Sequence, residues 1–265
     1  MRPDTRTKGF DWRAPTTPQR LTREDQTQYF EEGYLLLEDV LPISRLDALI
    51  EEADQLEAER EAELRSRFGG HFLINRADDI TFTTHIVKRS DTARAFASDA
   101  LFKALCHDLI GEASLLYWDQ LVYKKPETDQ EFPWHQDNGY TFVEPEAYLT
   151  CWVPLTPATK ANGCPWVIPR AHRMGTLEHW ETPLGYQCVG GEDDLQDEPI
   201  AIEAKPGDVV LFSSLTPHRT GPNLTESCRK AYILQYAPQG AVMYPRGMDP
   251  IALPFDAERH LVMDL

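Results

Sequence analysis

Two histidines and one aspartate have residue types and spacing that suit a single metal ion. His135 and Asp137 are two residues apart and follow Pro133, which favours an extended backbone. Side chains at positions i and i+2 of an extended chain point to the same face, so both can bind one ion. His218 follows the apolar run 209–212 and is the candidate third ligand. Two histidines and a carboxylate form the facial triad of non-haem Fe(II) oxygenases, which leaves open coordination positions.

Arg229 is the second candidate for chemistry, because it begins the β-rich run 229–237 eleven residues after His218. A guanidinium can bind the distal carboxylate of a dicarboxylate cosubstrate through two parallel hydrogen bonds. The alternative interpretation is a salt bridge at a strand edge. For His135 and Asp137 the alternative is a structural hydrogen-bonded pair, and for His218 it is the cap of a strand end.

The other histidines have simpler interpretations. His179 and Glu181 repeat the His-x-acid spacing, but their surroundings indicate helix or irregular chain. Residues i and i+2 of a helix do not face each other, so we interpret both as surface residues. His172 is expected to be structural and to tie its loop to the backbone.

The elements that must position these residues change in character along the chain. Residues 1–20 are polar and read as a loose arm, and residues 21–112 as a mostly helical flank with capping pairs at Thr22–Asp25 and Ser44–Asp47. Short β-rich runs with Gly and Pro between them fill residues 113–240, and 241–265 form a C-terminal tail. This pattern predicts a single mainly β domain with flanking helices, whose core is a jelly roll.

The composition limits the classes of partner that we expect this chain to bind. The 265 residues carry a formal net charge of −17, which disfavours nucleic acid and anionic membrane surfaces as partners. No secretory signal or membrane-spanning run is visible, and the five cysteines have no CxxC spacing, so we expect a reduced cytoplasmic protein. A small-molecule substrate is expected, and the oligomeric state stays open.

Five segments together resemble the phytanoyl-CoA dioxygenase family of Fe(II)- and 2-oxoglutarate-dependent oxygenases. They are 120–126, 133–140, 150–172, 205–212 and 218–236. The resemblance covers most of residues 20–240, and the order of the motifs is more specific than any one of them. It implies a double-stranded β-helix (cupin-like) core with helices packed outside, and an oxidoreductase that uses Fe(II), 2-oxoglutarate and O₂.

The resemblance also implies roles for individual residues. His135, Asp137 and His218 would bind iron. Arg229 and Thr220 would hold the C5 carboxylate of 2-oxoglutarate. Trp152 would be an aromatic contact of the cosubstrate, and Gln120 and Tyr123 would line the pocket, with cosubstrate or substrate. Halogenating members lack the metal carboxylate, so the presence of Asp137 favours hydroxylation or a related oxidation.

Several points stay open at this stage. One alternative is a cupin-like metal enzyme that does not use 2-oxoglutarate, and another is a non-catalytic jelly-roll binding protein. Arg170 replaces a small residue of relatives and could reach the mouth of the site. The Gly- and acid-rich segment 185–198 is expected to be a long loop over that mouth. The acidic chain shows no basic cradle for coenzyme A phosphates, which favours a free small molecule.

Overall fold

The computed structural model describes residues 1–8, 17–111, 113–195, 197–245 and 249–252. Its helices are α1 (Arg23–Glu32), α2 (Ile43–Phe68), α3 (Asp91–Ala97), α4 (Ala100–Leu109) and the single turn α5 (Asp137–Tyr140). The capping box at Thr22 and Asp25 is confirmed, since both of its hydrogen bonds are present. The second capping prediction is wrong: α2 begins one residue before Ser44, and Pro42 supplies no side-chain cap.

Short strands dominate the rest of the described chain. They are β1 (Tyr34–Leu37), β2 (His71–Phe72), β3 (Asn75–Arg76), β4 (Ile80–Thr84), β5 (Ser114–Lys124), β6 (Phe132–His135), β7 (Phe142–Glu144), β8 (Leu149–Pro154), β9 (Pro165–Val167), β10 (Trp180–Thr182), β11 (Gly185–Gln187), β12 (Ile200–Ala201), β13 (Val209–Ser213), β14 (His218–Thr220), β15 (Arg229–Pro238), β16 (Val242–Tyr244) and β17 (Ile251–Ala252). None of the helices in the described ranges is long and apolar enough to span a bilayer.

Two antiparallel sheets face each other and form the predicted jelly roll. The larger sheet has the order β1-β13-β8-β15-β5-β4-β3-β2, and the smaller sheet has the order β12-β9-β14-β6. Two further small sheets, β10-β11 and β17-β16-β7, lie beside them. The predicted fold class is therefore confirmed.

Strand alternation gives the larger sheet two buried faces. Tyr232 and Leu234 of β15 pack with the helices in the main hydrophobic core. Ala231 and Ile233 of the same strand pack with Trp152 in a second cluster, between the sheets. Successive side chains of a strand point to opposite faces, so β15 presents residues 229, 231, 233 and 235 to the space between the sheets.

The N-terminal arm is attached where the structure describes it. The Asp4 N–H donates to the Thr176 carbonyl at 2.7 Å, and the Thr7 hydroxyl donates to the buried Glu146 carboxylate at 2.9 Å. The expectation of a loose arm is thus wrong for residues 1–8. Residues 9–16 lie outside the described chain.

Segment 185–198 does not cover the predicted mouth as a whole. Cys188 and Val189 are buried, and residues 189–191 with 197–199 line a groove of about 900 Å³ on the outer face of the smaller sheet. There Arg219 lies between two indole rings, with its guanidinium carbon 5.0 Å from the Trp134 centroid and 5.5 Å from the Trp166 centroid. Glycines and acids indicate a surface segment, but they do not indicate which face it covers. Gln196 of this segment is outside the described residues.

Candidate metal centre and cavity

The smaller sheet brings the three predicted ligands together. His135 ends β6 and His218 begins β14, and the two residues pair directly across the strands. Gln136 is extended (φ −112°, ψ 144°), so Asp137, the first residue of α5, stays on the side of His135. One ligand atom from each of the three side chains lies within 4.8 Å of the others.

Backbone carbonyls fix the tautomer of both imidazoles. The Nδ1 atom of His135 lies 2.8 Å from the Pro133 carbonyl oxygen, and that of His218 lies 3.0 Å from the Thr216 carbonyl oxygen. This bonding assigns the proton to Nδ1 and leaves the Nε2 lone pair for a metal. Burial, with the neighbouring His218, holds the pKa of His135 well below its usual value. His135 is therefore neutral, the form that binds metal.

The aspartate is also oriented. The Thr150 hydroxyl on β8 donates to Oδ2 of Asp137 at 2.6 Å, while Oδ1 lies 3.8 Å from Nε2 of His218. Two imidazole nitrogens and one carboxylate on one side of an open space are the donor set of a non-haem Fe(II) site. The residues present therefore fit iron.

The backbone between the ligands is held by a network that sequence reasoning missed. The buried Gln136 side chain donates to the Gly175 carbonyl at 2.9 Å and accepts from the Leu177 N–H at 2.6 Å. The Gln136 N–H donates to Nε2 of His179 at 2.9 Å. His179 is thus a half-buried structural residue rather than the predicted surface residue, whereas Glu181 is exposed as predicted. These hydrogen bonds join segments that are distant in sequence, so no local sequence pattern indicated them.

The space beside the triad narrows toward Arg229, and we call that part the closed end (Arg229, Thr220, Trp152 and Lys124). Arg229 is fully buried, and its guanidinium carbon lies 5.5 Å from the Trp152 ring centroid. Nη1 has only a long contact of 3.5 Å to the Val122 carbonyl. Nε and Nη2 have no hydrogen-bond partner among the described residues. A buried guanidinium with two unused donors on one edge is suited to a carboxylate.

Lys124 belongs to the closed end and was not predicted. It pairs directly across from Arg229. Its buried Nζ donates to the Thr220 hydroxyl oxygen at 3.0 Å, to the Gln130 carbonyl at 3.2 Å and to the Gly221 carbonyl. Burial and the charge of Arg229 lower its pKa. Because the Thr220 oxygen accepts from Lys124, the Thr220 proton is free to be donated elsewhere.

On the other side of the triad lies a wider cavity of about 250 Å³, which we call the open end. The described residues that line it are Ile74, Phe82, Tyr117, Trp118, Gln120, Phe132, His135, Asp137, Tyr140, Thr141, Tyr148 and Gln235. Burial raises the pKa of the Tyr140 and Tyr148 phenols, so both stay protonated. The open end and the narrow cavity at the closed end, of about 50 Å³, share five lining residues: Phe82, Gln120, Phe132, His135 and Asp137.

The remaining predicted residues divide between these cavities and other places. Thr220, Trp152 and Gln120 line the narrow cavity. Tyr123 does not: its hydroxyl donates to Asp54 of α2 at 2.6 Å, because strand alternation turns it to the helix face.

The structure also decides two predictions about residues that lie outside the cavity. Arg170 is exposed and forms ion pairs with Glu32 and Asp197, so it does not reach the triad. His172 is structural, as predicted: it is fully buried, its Nε2 lies 3.2 Å from the Phe30 carbonyl, and burial lowers its pKa to about 4.

Comparison with known proteins agrees with this geometry. The sequence model of the phytanoyl-CoA dioxygenase family matches residues 29–231. A probable phytanoyl-CoA dioxygenase of Caenorhabditis elegans is 28% identical over 242 residues, which is 82% of this chain and 75% of that protein. The methylphosphonate hydroxylase of Gimesia maris is 34% identical over 131 residues, 48% of this chain and 47% of that protein. The crystal structure of the epimerase SnoN with Fe³⁺, α-ketoglutarate and nogalamycin RO shares the fold, with a TM-score of 0.70, 19% identity and 84% and 85% coverage of the two chains.

Proposed function

This chain belongs to the phytanoyl-CoA dioxygenase family and is thus a 2-oxoglutarate-dependent non-haem iron dioxygenase; from that premise we propose that it hydroxylates a C–H bond of a small molecule. The cofactor and cosubstrates of this class are Fe(II), 2-oxoglutarate and O₂. When bound, the iron supplies O₂ activation coupled to 2-oxoglutarate decarboxylation. One oxygen atom enters the substrate and the other enters succinate, with release of CO₂.

One observation carries the assignment of residues: Arg229 is fully buried beside the triad and has two nitrogen donors without a partner among the described residues. A buried charge without a partner is costly, so a sequence keeps one where a ligand completes it. In our proposal the C5 carboxylate of 2-oxoglutarate binds Arg229 and the Thr220 hydroxyl, next to the Trp152 ring. His135, Asp137 and His218 bind the metal.

Neighbouring residues orient the metal ligands and enclose the cavity. Thr150 holds one carboxylate oxygen of Asp137, which directs the other toward the metal. Phe212 packs against the His218 ring with centroids 4.4 Å apart, and Phe132 packs against His135 at 4.9 Å. These aromatic contacts exclude water from the ligand side of the cavity and limit rotation of the imidazoles. The substrate then enters from the open end, past Gln120.

The test is iron retention and succinate formation by ligand variants. His135→Ala and His218→Ala are each expected to lose bound Fe(II) and 2-oxoglutarate turnover, while the circular dichroism spectrum stays native because the hydrophobic clusters on both faces of the larger sheet contain none of the three ligands. His107→Ala, on α4 and outside the cavities, is the matched control and should keep both properties. Full iron occupancy in both ligand variants would contradict the assignment.

A further inference from the structure

We propose that the substrate is an uncharged molecule with an apolar ring or chain and a carbonyl or hydroxyl group, which the Gln235 side chain binds. This inference rests on the proposed function and specifies its substrate class. It sets this chain apart from relatives whose names specify anionic substrates, such as the methylphosphonate hydroxylase.

Aromatic side chains make up half of the described residues that line the open end. Six of its described lining residues are aromatic: Phe82, Tyr117, Trp118, Phe132, Tyr140 and Tyr148. No Lys or Arg occurs among the described residues that line it. A phosphonate or a carboxylate moved from water into such a cavity loses its hydration without gaining a counter-charge, which is strongly unfavourable. An apolar body instead gains free energy by burial against these rings.

Gln235 supplies the polar contact. It is only 6% exposed and lines the cavity, yet its side-chain amide has no hydrogen-bond partner among the described residues. It pairs across from Thr150, the residue that holds Asp137, so its amide lies on the metal side of the cavity. The amide lines the cavity, so a ligand carbonyl or hydroxyl bound there can accept from it or donate to it.

Gln120 adds a second donor. Its Oε1 accepts the Trp118 indole N–H at 3.1 Å, which fixes the orientation of the amide and leaves its Nε2 hydrogens unused among the described contacts. The two amides therefore offer several N–H donors and one acceptor. This set matches a neutral polar group better than a formal charge, which would require an ionic partner.

The loaded site leaves no spare positive charge for an anionic substrate. Under the proposed function, the two charges of Fe(II) are matched by Asp137 and one carboxylate of 2-oxoglutarate. Arg229 is matched by the other carboxylate. Lys124 is bound by carbonyl groups at the closed end and does not line the open end. A neutral substrate is the one that this arrangement accepts without cost.

The test uses four probes of similar shape: phenylacetamide, phenylacetate, benzylphosphonate and 2-phenylethylammonium. Each is titrated without O₂ into the full-length Fe(II)–2-oxoglutarate enzyme, and the change in the metal-to-ligand charge-transfer absorption reports binding beside the metal. Phenylacetamide is expected to bind about tenfold or more tightly than either anion. Equal or tighter binding of an anion, tighter binding of the ammonium probe, or no preference at all would overturn the proposal.

Variants connect the preference to Gln235. Gln235→Leu is expected to weaken phenylacetamide binding about three- to tenfold, because one net hydrogen bond is lost. Gln235→Arg should shift the preference toward phenylacetate. Gln28→Leu, on the exposed face of α1, is the matched control. If the charge-transfer absorption never forms with 2-oxoglutarate, the proposed function itself fails; if it forms and Gln235→Leu binds phenylacetamide as wild type does, only the substrate class fails.

Discussion

The closed and open ends of the cavity share several lining residues but differ in the charged and polar side chains that each presents. At the closed end the fully buried Arg229 lines the narrow cavity, and Lys124, whose pKa is lowered by burial and by Arg229, is buried beside it. At the open end six aromatic residues and two amides enclose a wider space with no Lys or Arg among its described lining. The triad lies where the two spaces meet. In our proposals this difference separates the site of the doubly charged cosubstrate from the site of a neutral substrate.

Strand β15 runs through both ends and shows how one element serves two ligands. Arg229 and Gln235 are on the same face, six residues apart, which is about 20 Å of extended strand. Charge at one position therefore has little effect at the other, because the triad and its ligands lie between them. Substitutions at one end should change the binding of one ligand only, and the predictions below test that separation.

The largest effect is expected for Arg229→Ala. Loss of a buried charge-assisted pair costs about 3–5 kcal/mol, so the apparent affinity for 2-oxoglutarate should fall by roughly two to three and a half decades. Arg229→Lys should recover only part, since an ammonium cannot form the planar bidentate contact. Iron binding should stay near wild type. Titration of 2-oxoglutarate with succinate as readout measures the effect, and unchanged affinity in the Ala variant would reduce Arg229 to a structural role.

Thr150→Val tests the proposed metal centre, which lies between the two ends of the cavity. The variant keeps the side-chain shape but removes the 2.6 Å hydrogen bond to Asp137. Loss of a hydrogen bond that orients a metal ligand typically lowers metal affinity about 10–100-fold. Competition with an Fe(II) chelator measures it, with Thr27→Val on α1 as control. Wild-type iron affinity would show that Asp137 is oriented without Thr150.

Lys124→Met should have a smaller effect that is confined to the closed end. The variant removes the hydrogen bond that directs the Thr220 hydroxyl, so 2-oxoglutarate affinity should fall about two- to tenfold. Binding of the phenylacetamide probe at the open end should not change. Lys125 is the matched control because its side chain turns to the other face and pairs with Glu57 and Glu61. If Lys125→Met lost as much 2-oxoglutarate affinity as Lys124→Met, the effect would come from the change in net charge and not from the hydrogen bond to Thr220.

The smallest effect is expected for Tyr123→Phe. Its hydroxyl bonds to Asp54 on the helix side of the sheet, so neither ligand should bind differently. The free energy of unfolding should fall by about 1 kcal/mol for one lost hydrogen bond. Urea denaturation measures the stability, and 2-oxoglutarate titration measures the affinity. A clear loss of cosubstrate affinity would show that the helix side and the cavity side of β5 are coupled.

The outcome for β5 shows what sequence could and could not reveal. Local spacing was enough to predict that His135 and Asp137 face the same site. The order of the strands was enough to predict that His218 and Arg229 lie near them. The sequence did not show which face of β5 lines the cavity. Both faces of this strand are largely buried, and each carries apolar as well as polar side chains. Alternation alone shows that Gln120 and Tyr123, three residues apart, face opposite sides of the sheet, but it does not show which of them lines the cavities; the structure assigns that place to Gln120.

Lys124 and Gln235 were missed for a related reason. A lysine or glutamine within a strand usually indicates an exposed edge, and nothing local shows that a second sheet covers it. Only the packing of the smaller sheet over the larger one buries these polar groups. The docked N-terminal arm and the Gln136 network are contacts of the same kind, formed between segments far apart in sequence.

The direct pairing of His135 with His218 has a consequence for how this chain can change in evolution. Trp134 and Arg219 are the sequence neighbours of the two ligands and occupy the outer face of the same strands. Insertion or deletion of a single residue directly beside either histidine reverses the alternation at that point, so that an indole or a guanidinium replaces an imidazole at the proposed metal site. The same strand pair accommodates a register shift between His218 and Thr220, so the constraint on length applies to the positions directly beside the two histidines.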